Sequence, residues 1–308
     1  LERLKTKDLL DTDLLTREEI LLIINTALKI KKEEIKSLPL SDEIVSLLFF
    51  EPSTRTRNSF EIAAKKLGAI VISMDTSGSS LVKGESALNT VRTLQAMGVN
   101  YFVIRHRDSG FPYPIAQKVQ ASIINAGDGT RGHPTQALLD ALTMIEAKGD
   151  ISSKKVLIVG DILHSRVARS NIWLLKKLGA DITLVGPPEF LPEEFESLDI
   201  NISYSLDEVI SNADIVMGLR IQRERMEKMS ISVEEYIKRY QINRERISKA
   251  KEDVIILHPG PVNVGIEMTE DILYSDRSLV EKQVTNGVFI RMAILNLLKE
   301  TRMYGSNS

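Results

Sequence analysis

Short apolar runs alternate with stretches of helical periodicity along almost the whole chain, and this alternation constrains the fold more than any other feature. Candidate strands are residues 44–50, 69–73, 101–105, 121–125, 155–160, 181–185, 214–217 and 253–257. Most are separated by helical patterns, which is the signature of an α/β protein with parallel sheets. The strands fall into two groups of four. The first group leads into a helix that begins near Pro134 and places Leu138, Leu139, Leu142 and Ile145 on one face. Lys148-Gly149-Asp150 reads as the end of that helix, with Gly149 as its cap. The second group opens at Lys155 with the apolar run Val156-Leu157-Ile158-Val159. At ~150 residues per domain, a chain of 308 residues accommodates two domains, and the boundary is expected at 147/148. The last helical pattern runs roughly over residues 277–299, with Val284, Val288, Leu295 and Leu298 on one face. Asn286-Gly287 within it is a potential break.

Ligands of open α/β sheets bind beyond the carboxyl ends of the strands. Several residues suited to anion chemistry sit there. Ser53, Thr54, Arg55, Thr56 and Arg57 follow the first strand, where a strand ends and a helix begins. Helix N-termini present unpaired N–H groups and a positive dipole end. Three hydroxyls interleaved with two arginines in five positions therefore favour phosphate binding over an ordinary N-cap. Arg105 ends the run Tyr101-Phe102-Val103-Ile104, and Arg220 follows the run ending at Leu219. His258-Pro259-Gly260-Pro261 is a rigid turn after Val254-Ile255-Ile256-Leu257. His133 lies in a Gly-rich loop before Pro134, a favourable first-turn residue. Arg223, Arg225 and Lys228 read as a solvated basic face, and His106 and His164 carry no assignment.

Composition removes other classes. The net charge of −2 and the 5% aromatic content argue against a nucleic-acid binder. The absence of cysteine excludes disulfides, thiolate metal sites and a cysteine nucleophile, and fits a cytoplasmic protein. The four histidines show no metal-ligand spacing. The longest apolar run is too short to cross a bilayer, and the charged N-terminus shows no signal-peptide pattern. Gly160-Asp161 after a strand lacks the further glycines of a dinucleotide fingerprint.

Taken in order, the stretch from Phe50 to Arg57, Ser79-Ser80-Leu81-Val82-Lys83-Gly84-Glu85, Arg105-His106, Gly127-Asp128-Gly129 with His133-Pro134-Thr135-Gln136, Gly160-Asp161 leading to Arg166, Arg220-Ile221-Gln222 and the 258–261 turn resemble the transcarbamoylase family over nearly the full length. Glu51-Pro52 resembles the branch that uses aspartate. The resemblance implies two α/β domains, each a parallel sheet flanked by helices, with the active site in the interdomain cleft. Residues 1–147 would bind carbamoyl phosphate and be completed by a C-terminal helix at 285–308, and residues 148–284 would bind aspartate. The reaction implied is carbamoyl transfer from carbamoyl phosphate to the α-amine of L-aspartate, a step of pyrimidine biosynthesis, without metal or organic cofactor.

The resemblance also implies residue roles. Ser53, Thr54, Arg55 and Thr56 clamp the phosphate, joined by Lys83 and a neighbouring serine, Ser80 in preference to Ser79. Thr56, Arg105 and His133 hold the oxyanion, and Gln136 and the carbonyls of Gly260 and Pro261 hold the carbamoyl nitrogen or the attacking amine. Arg166 takes the α-carboxylate of aspartate, and Arg220 with Gln222 takes the side-chain carboxylate. Lys83 would come from a neighbouring subunit of a homotrimer, itself compatible with a regulatory chain or dihydroorotase as a further partner. An ornithine-specific relative would carry a cysteine in the 258–261 turn, and none is present. The competing readings are another acceptor amine, such as ornithine, and a non-catalytic carbamoyl-phosphate-binding scaffold.

Overall fold

The computed structural model of the chain describes residues 3–34, 39–75, 86–191, 193–222 and 231–305. Ser79, Ser80 and Lys83 lie outside the described residues. The chain divides into two compact units, Leu1–Leu139 with Thr285–Ser308, and Asp140–Val284. These divisions fall inside two helices rather than in linkers.

The first unit is built on four parallel strands: β1 (Ile44–Phe49), β2 (Ile70–Asp75), β3 (Tyr101–His106) and β4 (Ser122–Asp128). Their order is β2-β1-β3-β4. β1 and β3 read almost entirely apolar because helices cover a parallel sheet on both faces; every residue from Val45 to Phe49 is buried. The helices are α1 (Arg17–Lys31), α2 (Thr54–Lys66), α3 (Ala87–Ala96), the short α4 (Pro112–Ala116), and the first part of α5 (Pro134–Lys148). Local sequence sets several of their starts. Thr16 and Glu19 form a reciprocal capping box on α1. Ser86 caps α3 by accepting from Asn89 N–H. Leu48, Val91, Phe102, Ile104 and Ile123 form one core cluster of this unit.

The second unit carries five parallel strands: β5 (Lys155–Val159), β6 (Asp181–Val185), β7 (Asn201–Ser203), β8 (Ile215–Gly218) and β9 (Ile255–Leu257). Their order is β7-β6-β5-β8-β9. Helices α6 (Arg166–Lys177), α7 (Leu206–Val209), α8 (Val233–Tyr240), α9 (Arg244–Lys249) and α10 (Glu270–Leu273) belong to it. Leu157, Val159, Val216, Tyr236, Tyr240 and Ile256 lie in its core. Gly149 ends α5 at φ +71°, donating to Ile145 O. Arg246, almost fully buried, spans α7 and α9 through both oxygens of Asp207 and the carbonyls of Lys238 and Gln241.

Two sequence expectations are corrected. β7 is a ninth strand that the apolar runs do not announce, because Asn201-Ile202-Ser203 is a short edge strand with no buried residue. The final helix, α11 (Val280–Gly305), does not break at Asn286-Gly287. The buried Asn286 side chain accepts from Lys31 Nζ at 2.8 Å. A Cβ on Gly287 would lie 3.1 Å from Leu139 Cδ2 and 2.6 Å from Arg291 Nη1. A side chain there would crowd Leu139 and displace the Arg291 guanidinium, so close packing favours glycine, and tertiary contacts override its low helix propensity. No helix among the described residues is long and apolar enough to cross a membrane.

Candidate active site

In each sheet the strand order reverses once, at β1/β3 in the first unit and at β5/β8 in the second. Such switch points open a crevice at the carboxyl edge, where α/β proteins bind their ligands. Among the described residues, those singled out in the sequence as site residues are gathered around these edges, in two sets.

In the first unit, β1 ends at Phe49 and its register partner on β3 is Arg105. Ser53 is the residue preceding α2, and its hydroxyl makes no capping bond to the helix. Thr54 and Arg55 are exposed in the first turn, and Thr56 is buried. Arg57 is half-buried, with its guanidinium 5.4 Å from the Phe49 ring centroid. Arg105 is fixed at two points. Its Nε donates to Glu51 Oε1 at 2.7 Å, and its Nη1 to the Ala126 carbonyl at 3.2 Å. A guanidinium is planar, so two bonds in different directions define its orientation. Glu51, read in the sequence only as a branch marker, is therefore the side chain that aims Arg105.

His133 is almost fully buried at the end of the loop after β4, one residue before α5, and Gln136 N–H donates to its carbonyl at 3.1 Å. The loop is organised by Asp128, which is fully buried. Its Oδ2 accepts from Gly110 N–H at 2.6 Å, and its Oδ1 from Asn125 Nδ2 at 2.8 Å and Gly132 N–H at 3.1 Å. Burial pushes this carboxyl above the ordinary aspartate range, against the pull of those donors. A Cβ on Gly132 would stand 2.3 Å from Asp11 Oδ2, so only glycine lets the loop pass Asp11. Arg291 ties the two carriers together. It is buried on α11 and donates to Ser59 Oγ on α2 at 2.8 Å and to Thr135 Oγ1 on α5 at 3.1 Å. His106 stacks on Phe111 with centroids 3.6 Å apart and accepts from Asp108 N–H; burial lowers its pKa. It is part of the scaffold under β3.

In the second unit, Arg166 opens α6, with Ser165 capping through a bond from Ala168 N–H. Asp161, after β5, accepts His164 N–H and lies 2.9 and 3.0 Å from His164 Nδ1, which closes the turn before the helix. Gly160, at φ +136°, allows Leu219 to pass, since a Cβ there would lie 3.1 Å from Leu219 Cβ. Leu219 N–H bonds Val159 O, extending β8 alongside β5. Arg220 and Gln222 then emerge exposed on either side of the buried Ile221. The turn after β9 is pinned by His258 N–H donating to Gln283 Oε1 at 3.0 Å, and by Gly260 N–H donating to His258 Nδ1 at 2.8 Å. Gln283 in turn donates to Asp140 Oδ1. Gly260 is half-buried and Pro261 exposed beyond this turn, joined by a cis peptide bond.

The structure thus brings Ser53, Thr54, Arg55, Thr56, Arg105, His133 and Gln136 to the carboxyl edge of the first sheet, and Arg166, Arg220, Gln222, Gly260 and Pro261 to that of the second. Sequence reading missed the groups that hold them: the half-buried Glu51 as an anchor, and the buried Arg291 and Gln283. Only Asp128 was flagged, through its flanking glycines.

Residues 7–146 match the carbamoyl-P binding domain of aspartate/ornithine carbamoyltransferases, and residues 152–298 match their Asp/Orn binding domain. The chain is 50% identical over 300 residues to an aspartate carbamoyltransferase catalytic subunit of Caldanaerobacter subterraneus subsp. tengcongensis, covering 96% of this chain and 99% of the relative. It is 48% identical over 309 residues to that of Endomicrobium trichonymphae, covering 99% of each. Among solved structures, aspartate transcarbamoylase from Trypanosoma cruzi in complex with N-(phosphonacetyl)-L-aspartic acid superposes with a TM-score of 0.86 at 30% identity, covering 96% of this chain and 97% of that one. With both halves matched in order, the chain belongs to the aspartate/ornithine carbamoyltransferase family.

Proposed function

We infer that the chain transfers the carbamoyl group of carbamoyl phosphate to the α-amine of L-aspartate, giving N-carbamoyl-L-aspartate and phosphate. The observation that carries this reading is its near-full-length similarity to aspartate carbamoyltransferase catalytic subunits. Absence of cysteine from the 258–261 turn supports aspartate over ornithine as acceptor.

In this reading the first unit holds carbamoyl phosphate. Ser53, Thr54, Arg55 and Thr56 bind the phosphate with the N–H groups of α2's first turn. The uncharged amine attacks the carbonyl carbon, and the developing oxyanion is met by Thr56, Arg105 and His133. Because Glu51 and the Ala126 carbonyl already fix Arg105, little reorganisation accompanies charge development. His133 donates a hydrogen bond to the carbonyl oxygen. Gln136 and the carbonyls of Gly260 and Pro261 orient the carbamoyl nitrogen or the amine. The C–O bond to phosphate then breaks, and the proton lost by the amine is taken up by the departing phosphate. The second unit grips the acceptor: Arg166 takes the α-carboxylate, and Arg220 with Gln222 the side-chain carboxylate. Arginine suits both, since its fork matches a carboxylate in a bidentate manner.

Ser80 and Lys83 complete the site from a neighbouring subunit of a homotrimer, and the protein works in the cytoplasm in pyrimidine biosynthesis. The test is inhibition by N-(phosphonacetyl)-L-aspartate, which joins a phosphonate and an aspartate in one molecule. Competition with carbamoyl phosphate at concentrations far below its KM is expected. Turnover of aspartate that is indifferent to the compound would contradict the joint site.

A further inference from the structure

The segment that carries Arg220 and Gln222 is held by its middle residue. Ile221 is 1% exposed, while its two neighbours are exposed. Both backbone polar groups of Ile221 are committed to side chains from a distant loop. Its N–H donates to Glu267 Oε1 at 2.7 Å, and its carbonyl accepts from Asn263 Nδ2 at 2.9 Å. The two loop residues are also joined to each other. Glu267 Oε1 accepts from Asn263 Nδ2 at 2.9 Å, and Glu267 Oε2 accepts from the Asn263 backbone N–H at 2.8 Å.

Glu267 is 1% exposed, and no cation among the described residues pairs with it. Burying a carboxylate in this way is costly unless donors compensate it. Here three N–H groups converge on it, and only an acceptor-only group satisfies all three. A glutamine at this position would turn an NH2 group toward at least one of them. The arrangement therefore calls for two accepting oxygens at this position, held against a burial that raises the carboxyl's pKa. Asn263 lies two residues beyond Pro261, in the loop that follows the turn.

We propose that Glu267 and Asn263 are positioning residues for the amino-acid acceptor, clamping the Ile221 backbone so that Arg220 and Gln222 are presented at a fixed height and direction. The inference rests on the reading of Arg220 and Gln222 as the grip on the aspartate side-chain carboxylate. A misplacement of about 1 Å in such a grip costs on the order of 100-fold.

The test is steady-state kinetics on Glu267→Gln, Asn263→Ala and Arg220→Ala, with binding of carbamoyl phosphate alone measured by calorimetry. In Glu267→Gln, kcat/KM for L-aspartate falls by about 10- to 100-fold, whereas carbamoyl phosphate binds within about two-fold of the parent. Because the clamp acts through the 220–222 segment, adding Glu267→Gln to Arg220→Ala produces little further loss. Asn263→Ala shows the same selective loss and serves if Glu267→Gln does not fold. Undiminished aspartate kinetics in the folded variants, equal loss for both ligands, or full additivity with Arg220→Ala would each overturn the clamp. An Arg220→Ala chain with normal aspartate kinetics would instead overturn the underlying reading of the acceptor grip, and the clamp with it.

Discussion

Replacing Arg105 by alanine removes the group on which the proposed chemistry most depends. Its Nε and Nη1 donate to Glu51 and the Ala126 carbonyl, which sets the plane of the guanidinium. Loss of one preorganised oxyanion donor costs roughly 100- to 1000-fold in turnover. That corresponds to about 2.7–4 kcal/mol of transition-state stabilisation. The effect on folding should be much smaller. Glu51 loses a charged hydrogen bond worth about 1.5–3 kcal/mol, but its side chain is 24% exposed and water compensates in part. Arg105→Lys should recover little, because a single ammonium cannot reach Glu51, the Ala126 carbonyl and the substrate from fixed directions. The assay is colorimetric detection of carbamoyl-aspartate at saturating substrates, with circular dichroism to verify the fold. Turnover of Arg105→Ala within ten-fold of the parent would refute the reasoning, as would full recovery in Arg105→Lys.

Arg291→Met should destabilise the first unit by about 2–4 kcal/mol, because it breaks the bonds to Ser59 and Thr135 and the contact with the Phe60 ring; urea denaturation measures this, and an unchanged midpoint would contradict the bridging role. Asp207 is held below the ordinary aspartate value by its hydrogen bonds to Arg246, so its contribution is complete above the unfolded pKa of about 3.9 and fades as pH falls through the lower folded value. The stability gap between the parent and Asp207→Asn should accordingly stay level from about pH 5 to about pH 8 and narrow in stronger acid; a gap that widens on acidification would reverse the sign. If Lys83 serves a neighbouring subunit, mixing inactive Lys83→Ala chains with inactive Arg105→Ala chains should restore activity, and silence after verified reassembly would place both residues in one chain's site.

The sheets were legible because parallel strands covered on both faces must be apolar throughout, as in the runs at Val45 and Val156. The edge strand at Asn201 was not, since three residues with two polar side chains leave no periodicity to read. Asn286-Gly287 misled for the opposite reason. Locally it is a turn signal, but the contacts with Lys31 and Leu139 that override it come from elsewhere in the chain. The candidate site divides in the same way. Arg105, Arg220 and the 53–57 stretch are exposed to inspection because each directly follows an apolar run. The groups that hold their carriers are not, because Arg291 is 232 residues from Ser59 and Glu267 is 46 from Ile221. Such pairings exist only once the fold does. Acceptor preference is a third case: in the proposed reading it rests on Arg166, Arg220 and Gln222 and on the make-up of one turn, none of which affects how the sheets form.

The most direct test of the account is a side-by-side comparison of L-aspartate and L-ornithine as acceptors, with the purified chain and carbamoyl phosphate. The account predicts carbamoyl-aspartate with kcat/KM for aspartate exceeding that for ornithine by several orders of magnitude, since two arginines suit a dicarboxylate and repel a second ammonium. Turnover of ornithine in preference to aspartate would contradict the acceptor assignment, and no product with either from a folded chain that still binds carbamoyl phosphate would contradict catalysis by this chain.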